Sequence, residues 1–290
     1  MDWIRSFQRS VDHIEDNLCE PLDIENIARV MNVSAFYYQK IFGIICGITV
    51  GEYVRNRRLS LAGSELMTAN TKIIDVALKY GYDTPEGFSR AFAKFHGATP
   101  SQVRKGAPIR PFERLSVSII MKGGNIMNCK IIKKPAFKVA EKRTVQTVTN
   151  DENLQTIPKF WEQSHKDGTV KKLLELTPDK EYVFGICYNK PHAEKSTFDY
   201  SIAAVIGDNA EIPDGFTVTE IPTRTWAVFE CKGAMPDAIQ QLWHRICTEF
   251  FPSSEYEPTY EMDIEAYTEG DMSSSEYRCE IWVPVKETGK

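Results

Sequence analysis

The chain has 290 residues, enough for two domains of ordinary size, and its 42% hydrophobic and 26% charged residues are usual for a soluble globular protein. A net charge of −5 excludes a uniformly basic nucleic-acid binder. The charge is uneven, however: residues 1–110 hold 14 Lys/Arg against 12 Asp/Glu, so the acid excess falls in the remainder. Seven cysteines without a C-x-x-C and five scattered histidines point away from a disulfide framework and a metal centre. With no signal peptide and no apolar run approaching 18 residues, the expectation is a cytoplasmic chain with no membrane partner.

The chain opens on an amphipathic helix with Ile4, Phe7, Val11, Ile14 and Leu18 on one side. Asp23 then caps one short helix and Ser34 the next. On the second of these, Tyr38, Ile41 and Phe42 form a core stripe, while Phe36, Gln39, Lys40 and Gly43 share the outer face. Thr49-x-x-Glu52 is a capping box opening a long helix that carries Arg55, Arg57 and Arg58.

The following segment repeats the plan. An apolar helical run from Ile73 ends at Gly81, Asp83 or Thr84 caps the next helix, and Pro85 sits near its first position. Phe88, Ala91, Phe92 and Phe95 make the buried stripe, leaving Ser89, Arg90, Ala93 and Lys94 off it. Gly97 ends this helix, and Thr99-x-x-Gln102 starts another. Ala28, Asn32, Ser34, Phe42, Gly47 and Thr49 align with Ala77, Gly81, Asp83, Phe92, Gly97 and Thr99. Two short-turned helix pairs in tandem are the helix-turn-helix plan, in which the second helix of each pair enters the major groove. The connecting helix, roughly 18 residues or about 27 Å, suits recognition helices about one DNA turn apart.

On these residues the first 105 positions resemble the DNA-binding domain of the AraC/XylS transcriptional regulators, which engages two successive major-groove segments as a monomer. The resemblance implies DNA contacts from Phe36, Gln39 and Lys40 in the first unit and from Glu86, Arg90 and Lys94 in the second, with Arg55 between them. Gln39 suits adenine, Arg90 guanine and Glu86 cytosine N4, while Lys40, Lys94 and Arg55 suit phosphates. Phe36 either packs on a thymine methyl or sugar, or folds back onto the connecting helix. The segment Pro85-Glu86-Gly87 departs from the family in being poor in donors, so second-site readout rests mainly on Arg90. The same polar residues also fit a plain solvated helix face.

Residues 106–111, with Gly and two Pro nearby, read as a linker to a domain over 112–290. There the period changes. Leu115–Met121 reads as a strand before a Gly123-Gly124 turn. Two segments, 129–140 and 216–228, each read as a strand interrupted near a proline. Each precedes a helix (about 157–176 and 237–250) and two further strands (182–188 with 198–206, and 260–267 with 277–285). The expected fold class is α+β: an all-α tandem helix-turn-helix domain, then an antiparallel α/β domain of two β-α-β-β repeats around a pseudo-two-fold. Helices cover one sheet face and a groove crosses the other.

This region resembles the GyrI-like effector-binding domain, most closely in Cys279-Glu280-Ile281-Trp282-Val283-Pro284-Val285, and the whole chain is similar to Rob-type regulators. Alternation along that last strand turns Cys279, Ile281, Val283 and Val285 toward the helices and leaves Glu280 and Trp282 on the groove face. A carboxylate beside an aromatic suits an organic cation. The resemblance implies an acidic pocket residue, assigned to Glu280 with Glu265 as the second candidate; Trp161, Tyr200, Trp226 and Tyr267 are candidate lining aromatics. Each of them also fits an ordinary core.

The expected function is a sequence-specific DNA-binding transcriptional regulator whose C-terminal domain senses a small lipophilic or cationic molecule. Its partners are promoter DNA, the effector and RNA polymerase, and it needs no cofactor. Two alternatives stand beside it. In one, the C-terminal domain binds a protein partner instead, which a filled groove with Trp282 packed inward would favour. In the other, a pocket glutamate acts as a hydrolase base or nucleophile, but the chain offers no Ser-His-Asp or Cys-His constellation and no catalytic residues are assigned.

Overall fold

The structure, a computed structural model, describes residues 2–69, 71–117, 127–178, 181–189, 196–207 and 210–288. It divides into two compact units: Met1–Asn32 with Cys46–Ile120, and Val33–Ile45 with Met121–Lys290.

The first unit is helical, with α1 (Asp2–Asp16), α2 (Ile24–Val30) and, after the segment taken by the second unit, α4 (Val50–Thr68), α5 (Ile73–Lys79), α6 (Pro85–His96) and α7 (Pro100–Arg104). Its caps follow local chemistry. Asp23 accepts from Asn26 N–H, Thr49 from Glu52 N–H and Thr84 from Gly87 N–H, and Thr99 with Gln102 forms a complete capping box. Gly97 closes α6 in the left-handed region at φ 78°, where a side chain would be strained. Leu59, Ala62 and Leu66 of α4 meet Val76, Ala77, Phe88, Phe92 and Val103 in one apolar core.

The expected strand at Leu115–Met121 is absent over residues 115–117, and its remainder, with Gly123-Gly124, lies outside the described residues. The reason is visible in the hydrogen bonds. Leu115 N–H is held by Tyr53 Oη (3.1 Å) and Val117 N–H by Gln8 Oε1 (2.7 Å), so side chains of α4 and α1 take the donors a ladder needs.

The second unit is built on one antiparallel sheet. Its strands are β1 (Cys129–Lys134), β2 (Phe137–Thr147), β3 (Val183–Tyr188), β4 (Thr197–Val205), β5 (Thr217–Ile221), β6 (Arg224–Lys232), β7 (Tyr256–Pro258), β8 (Met262–Tyr267) and β9 (Arg278–Glu287). The order is β1-β6-β9-β8-β3-β4-β2-β5, with β7 also pairing β9. The breaks at Pro135 and Pro222 split each repeat's first strand in two, and the outer half of each adds to the other repeat: β1 to β6, β5 to β2. Ala136 N–H donates to Thr223 Oγ1 (3.0 Å), so the two breaks are tied together. The repeats meet at the β3–β8 pair.

Helices α8 (Asn153–Lys166), α9 (Thr169–Leu176) and α10 (Asp237–Arg245) follow β2 and β6, and α10 runs on through a π turn (Ile246–Phe250) into a short α11 (Phe251–Ser253). Gly168, at φ 79°, separates α8 from α9, where the sequence suggests one helix. The uncovered sheet face is filled by an apolar cluster of Phe184, Ile186, Trp226, Ile264, Ala266 and Trp282 with their neighbours. The remaining helix of the second unit is α3 (Ala35–Cys46), all but its last residue.

Candidate functional site

On α6, Phe88 and Phe92 are fully buried while Glu86, Arg90 and Lys94 are exposed. Spacing of four keeps these three on one face, so a carboxylate, a guanidinium and an ammonium form a single polar strip opening at the helix N-terminus. That strip fits groove entry, in which N-terminal residues of the recognition helix reach base edges. Within α4 the three arginines differ. Arg55 is exposed. Arg57 donates to both Glu15 oxygens (2.8 Å each) and to Phe112 O, and Arg58 donates to the carbonyls of Leu18 and Glu20. Arg57 and Arg58 are therefore committed to the fold, and of the three only Arg55 keeps an exposed side chain.

The expected effector residues divide between the two sheet faces. Strand register sets Ile264 opposite Trp282 and Ala266 opposite Glu280, so Glu280 and Trp282 do share the face away from the helices. There Trp282 donates to Glu280 Oε2 (2.7 Å), its ring packs near Phe184 and Trp226, and Lys134 Nζ sits 4.7 Å from its centroid. Trp226 is fully buried in the same cluster. Glu280 and Trp282 are bonded to each other, Trp226 packs beside them, and the apolar cluster fills the space around them.

The other four come together on the helix-covered face. Glu265 accepts from Trp243 Nε1 (2.8 Å) through one oxygen and from Tyr267 Oη (2.7 Å) through the other. Trp161 of α8 stands edge-on to Tyr267 at 5.3 Å and donates to Tyr200 Oη (2.6 Å). Burial holds the Tyr200 and Tyr267 phenols well above their ordinary range, and the Glu265 carboxylate adds to that. Gly185 is the floor: a Cβ there would lie 2.5 Å from Tyr200 Oη and 3.3 Å from the Trp161 ring. Only glycine lets two aromatics lie this close to the strand.

A family model described as a helix-turn-helix domain matches residues 27–106, and one described as an integron-associated effector binding protein matches residues 130–285, more than half of the chain. The chain belongs to the AraC-type transcriptional regulators with a GyrI-like effector-binding domain. The HTH-type transcriptional activator AarP of Providencia stuartii is 38% identical over 91 residues, 31% of this chain and 67% of that one. The regulatory protein SoxS of Salmonella typhimurium is 37% identical over 97 residues, 33% of this chain and 91% of that one. Both relatives are regulators, not enzymes. Among solved structures, SAV2435 bound to tetraphenylphosphonium is 23% identical with a TM-score of 0.48, covering 55% of this chain and 94% of that one.

In this AraC-type regulator the first recognition helix departs from expectation. Phe36, Gln39 and Lys40 of α3 do not face solvent. Phe36 is 6% exposed and stacks on Phe198 with centroids 3.6 Å apart. Gln39 donates to Val148 O at 3.2 Å, and Lys40 pairs with Asp263 Oδ1 at 2.6 Å. Lys40 Nζ also lies 3.9 Å from the Trp243 ring centroid. Burial opposes the Lys40 charge, but Asp263 with Glu265 outweighs it and holds the ammonium pKa above its ordinary value. Burial pushes the Asp263 carboxyl above the usual carboxylate range despite Lys40. The physical reason lies in composition: in Ala35–Cys46 Lys40 is the only charged residue, and a helix apolar nearly all round seeks burial.

Asp263 and Trp243 belong to the same cluster, although sequence patterns alone do not single them out. Asp263 stands two positions before Glu265 and so shares its face. Trp243 lies on the buried stripe of α10 with Ile239 and Leu242 and looks like ordinary core until its indole N–H is seen to reach Glu265.

Proposed function

We propose that this regulator reads promoter DNA and senses a lipophilic organic cation through the helix-covered face of its C-terminal domain. The carrying observation is the Glu265 carboxylate set between Trp243 and Tyr267, with Trp161 and Tyr200 beside them. A charge ringed by aromatic faces attracts a cation by Coulomb and cation–π terms, the latter about 0.5–2 kcal/mol per ring. Aromatic walls at the same time favour a ligand with apolar bulk. Glu265 takes the role that the resemblance implies for Glu280, because Trp243, Tyr267, Trp161 and Tyr200 gather around it whereas Glu280 lies on the face filled by the apolar cluster. DNA contact falls to Glu86, Arg90 and Lys94 of α6 and to Arg55, and to α3 when its outer face is free. Effector binding then changes promoter occupancy or contact with RNA polymerase, which requires the ligand to bind two states of the protein unequally.

The protein-partner reading draws support from the filled face around Trp282, but that observation bears on Glu280 and Trp282 only and leaves the Glu265 cluster untouched. The test is calorimetric titration of the full chain with tetraphenylphosphonium and with neutral triphenylphosphine oxide, each recovered afterwards for mass spectrometry. Saturable binding of the cation alone, recovered unchanged, is expected. Equal binding of both compounds, or of neither, removes the cation reading, and a chemically altered compound replaces sensing with catalysis.

A further inference from the structure

Lys40 and Phe36 stand four residues apart on one helix face, the one over the Trp243 ring and on Asp263, the other flat on Phe198. Together they present an ammonium and a phenyl ring about one helical turn apart. Tyr37 completes the contact, its ring edge-on to Tyr260 at 4.9 Å. Tyr260 itself holds a left-handed φ of 59°, a strain that a bulky residue carries only where its surroundings impose it. Asp263 is 1% exposed and is held by Lys40 at 2.6 Å and, more loosely, by Asn189 at 3.4 Å. Asn189 Oδ1 is buried with no hydrogen-bond partner among the described residues, so the internal occupant leaves one acceptor beside the carboxylate unused.

We propose that the first recognition helix is the resident occupant of the effector pocket: Phe36 and Lys40 mimic an arylalkylammonium ligand, and such a ligand releases the helix for DNA by taking their place. This deepens the cation-sensing reading and rests on it for the ligand, though the helix contact itself is independent of any ligand. The residues that the AraC resemblance assigns to DNA are the ones held by the pocket. One face of α3 cannot meet Val148, Asp263 and Phe198 and a major groove at once. DNA and ligand therefore favour the same state, the one with α3 free, and linkage makes their effects reciprocal: each raises the affinity of the other by the same factor. The occupant also defines the ligand. A primary or small ammonium fits between Asp263 and Trp243, and an aryl group about one helical turn away replaces Phe36 on Phe198. Asn189 Oδ1 offers an external ammonium a second acceptor that Lys40 does not use.

The experiment uses the full chain, a duplex selected with it from a randomised pool, and 4-phenylbutylammonium with 4-phenylbutanol as the neutral control. Fluorescence anisotropy reads DNA affinity, and hydrogen exchange with mass spectrometry reads residues 35–46. The wild type should bind the duplex at least about tenfold more tightly with the cation, a population shift of about 1.4 kcal/mol, and its α3 amides should exchange faster. Asp263→Asn alters no residue assigned to DNA; it should raise DNA affinity about tenfold with no ligand present and shrink the ligand's further effect. If the cation binds but neither α3 exchange nor DNA affinity changes, the inference falls and cation sensing stands. If 4-phenylbutylammonium does not bind, the assignment of the ligand falls while the tetraphenylphosphonium titration still decides cation sensing, and Asp263→Asn decides the helix contact alone: unchanged DNA affinity refutes it, increased affinity upholds it. The wild-type titration with the cation needs no variant, so it decides release of α3 even if Asp263→Asn folds poorly.

Discussion

Replacing Arg57 by Met tests whether the arginines of α4 divide as the hydrogen bonds say. The Arg57 and Glu15 side chains are 12% and 7% exposed. Glu15 Oε1 accepts from Tyr53 Oη (2.6 Å) and Arg57 Nε (2.8 Å), and Oε2 from Arg57 Nη2 (2.8 Å). Methionine fills most of the volume but leaves a largely buried carboxylate with only the Tyr53 hydroxyl. Breaking one side of such a pair costs about 3–5 kcal/mol, which is roughly a 10²- to 10⁴-fold rise in opening. Native-state hydrogen exchange of α1 and α4 amides in the full chain reads that opening locally. The pH dependence gives a second signature. In the wild type burial opposes ionisation of Glu15, but the hydrogen bonds from Arg57 and Tyr53 win and hold its pKa below the ordinary 4.5. Its stabilisation is therefore complete above about 4.5 and lost as pH falls through the lower folded value. In the variant burial dominates and the carboxyl moves up, so the deficit should narrow on acidification from pH 7. A deficit below about 1 kcal/mol, or one that does not change with pH, would refute the assignment. Arg55→Ala, by contrast, should leave exchange unchanged and lower the salt slope of DNA binding by about 0.9, one phosphate contact.

Two further outcomes follow from the first unit. Arg90→Ala should weaken a selected duplex by about 1–3 kcal/mol in anisotropy titrations and affect random DNA less; equal losses on both would make Arg90 a phosphate contact. His96 is buried, its Nδ1 accepting from Arg110 N–H (3.0 Å) and its Nε2 donating to Leu59 O (2.9 Å), so it is held neutral and its pKa lies below 6.5, chiefly through burial. Stability of this unit should be full above about pH 6.5 and fall as pH drops through the lower folded value, whereas in His96→Gln exchange of α6 amides should lose most of that dependence.

Much of the architecture is legible in the sequence because local rules and tertiary packing agree. The capping residues Asp23, Thr49, Thr84 and Thr99 and the Phe88–Phe92 stripe mark α2, α4, α6 and α7 from sequence alone. The paired proline breaks and the strand alternation mark the repeats, and alternation also places Glu280 and Trp282 on the face that they share. What alternation does not carry is which face gathers the aromatic and polar side chains and which is filled by apolar ones. Glu265 and Glu280 sit on neighbouring strands and point opposite ways, and only the register and the helices above Glu265 distinguish them. The strand expected at Leu115–Met121 fails over residues 115–117 for a different reason: its apolar alternation is real, but Tyr53 and Gln8 take its donors, a pairing more than sixty positions away in sequence. The surroundings of α3 are half legible. The pattern identifies Phe36, Gln39 and Lys40 as one face, but a lone cation on an otherwise apolar helix is itself a sign that this face is buried.

Glu265→Gln and Glu280→Gln, compared in calorimetric titrations of the full chain with tetraphenylphosphonium, distinguish the two sheet faces with the least disturbance to either. The carboxamide keeps the size of each side chain, removes its charge and exchanges one acceptor oxygen for an NH2 donor. Binding should be lost or weakened at least about tenfold in Glu265→Gln and retained in Glu280→Gln, because only Glu265 stands among Trp161, Tyr200, Trp243 and Tyr267. The reverse pattern, or equal binding by both variants, would contradict the placement of the effector site on the helix-covered face.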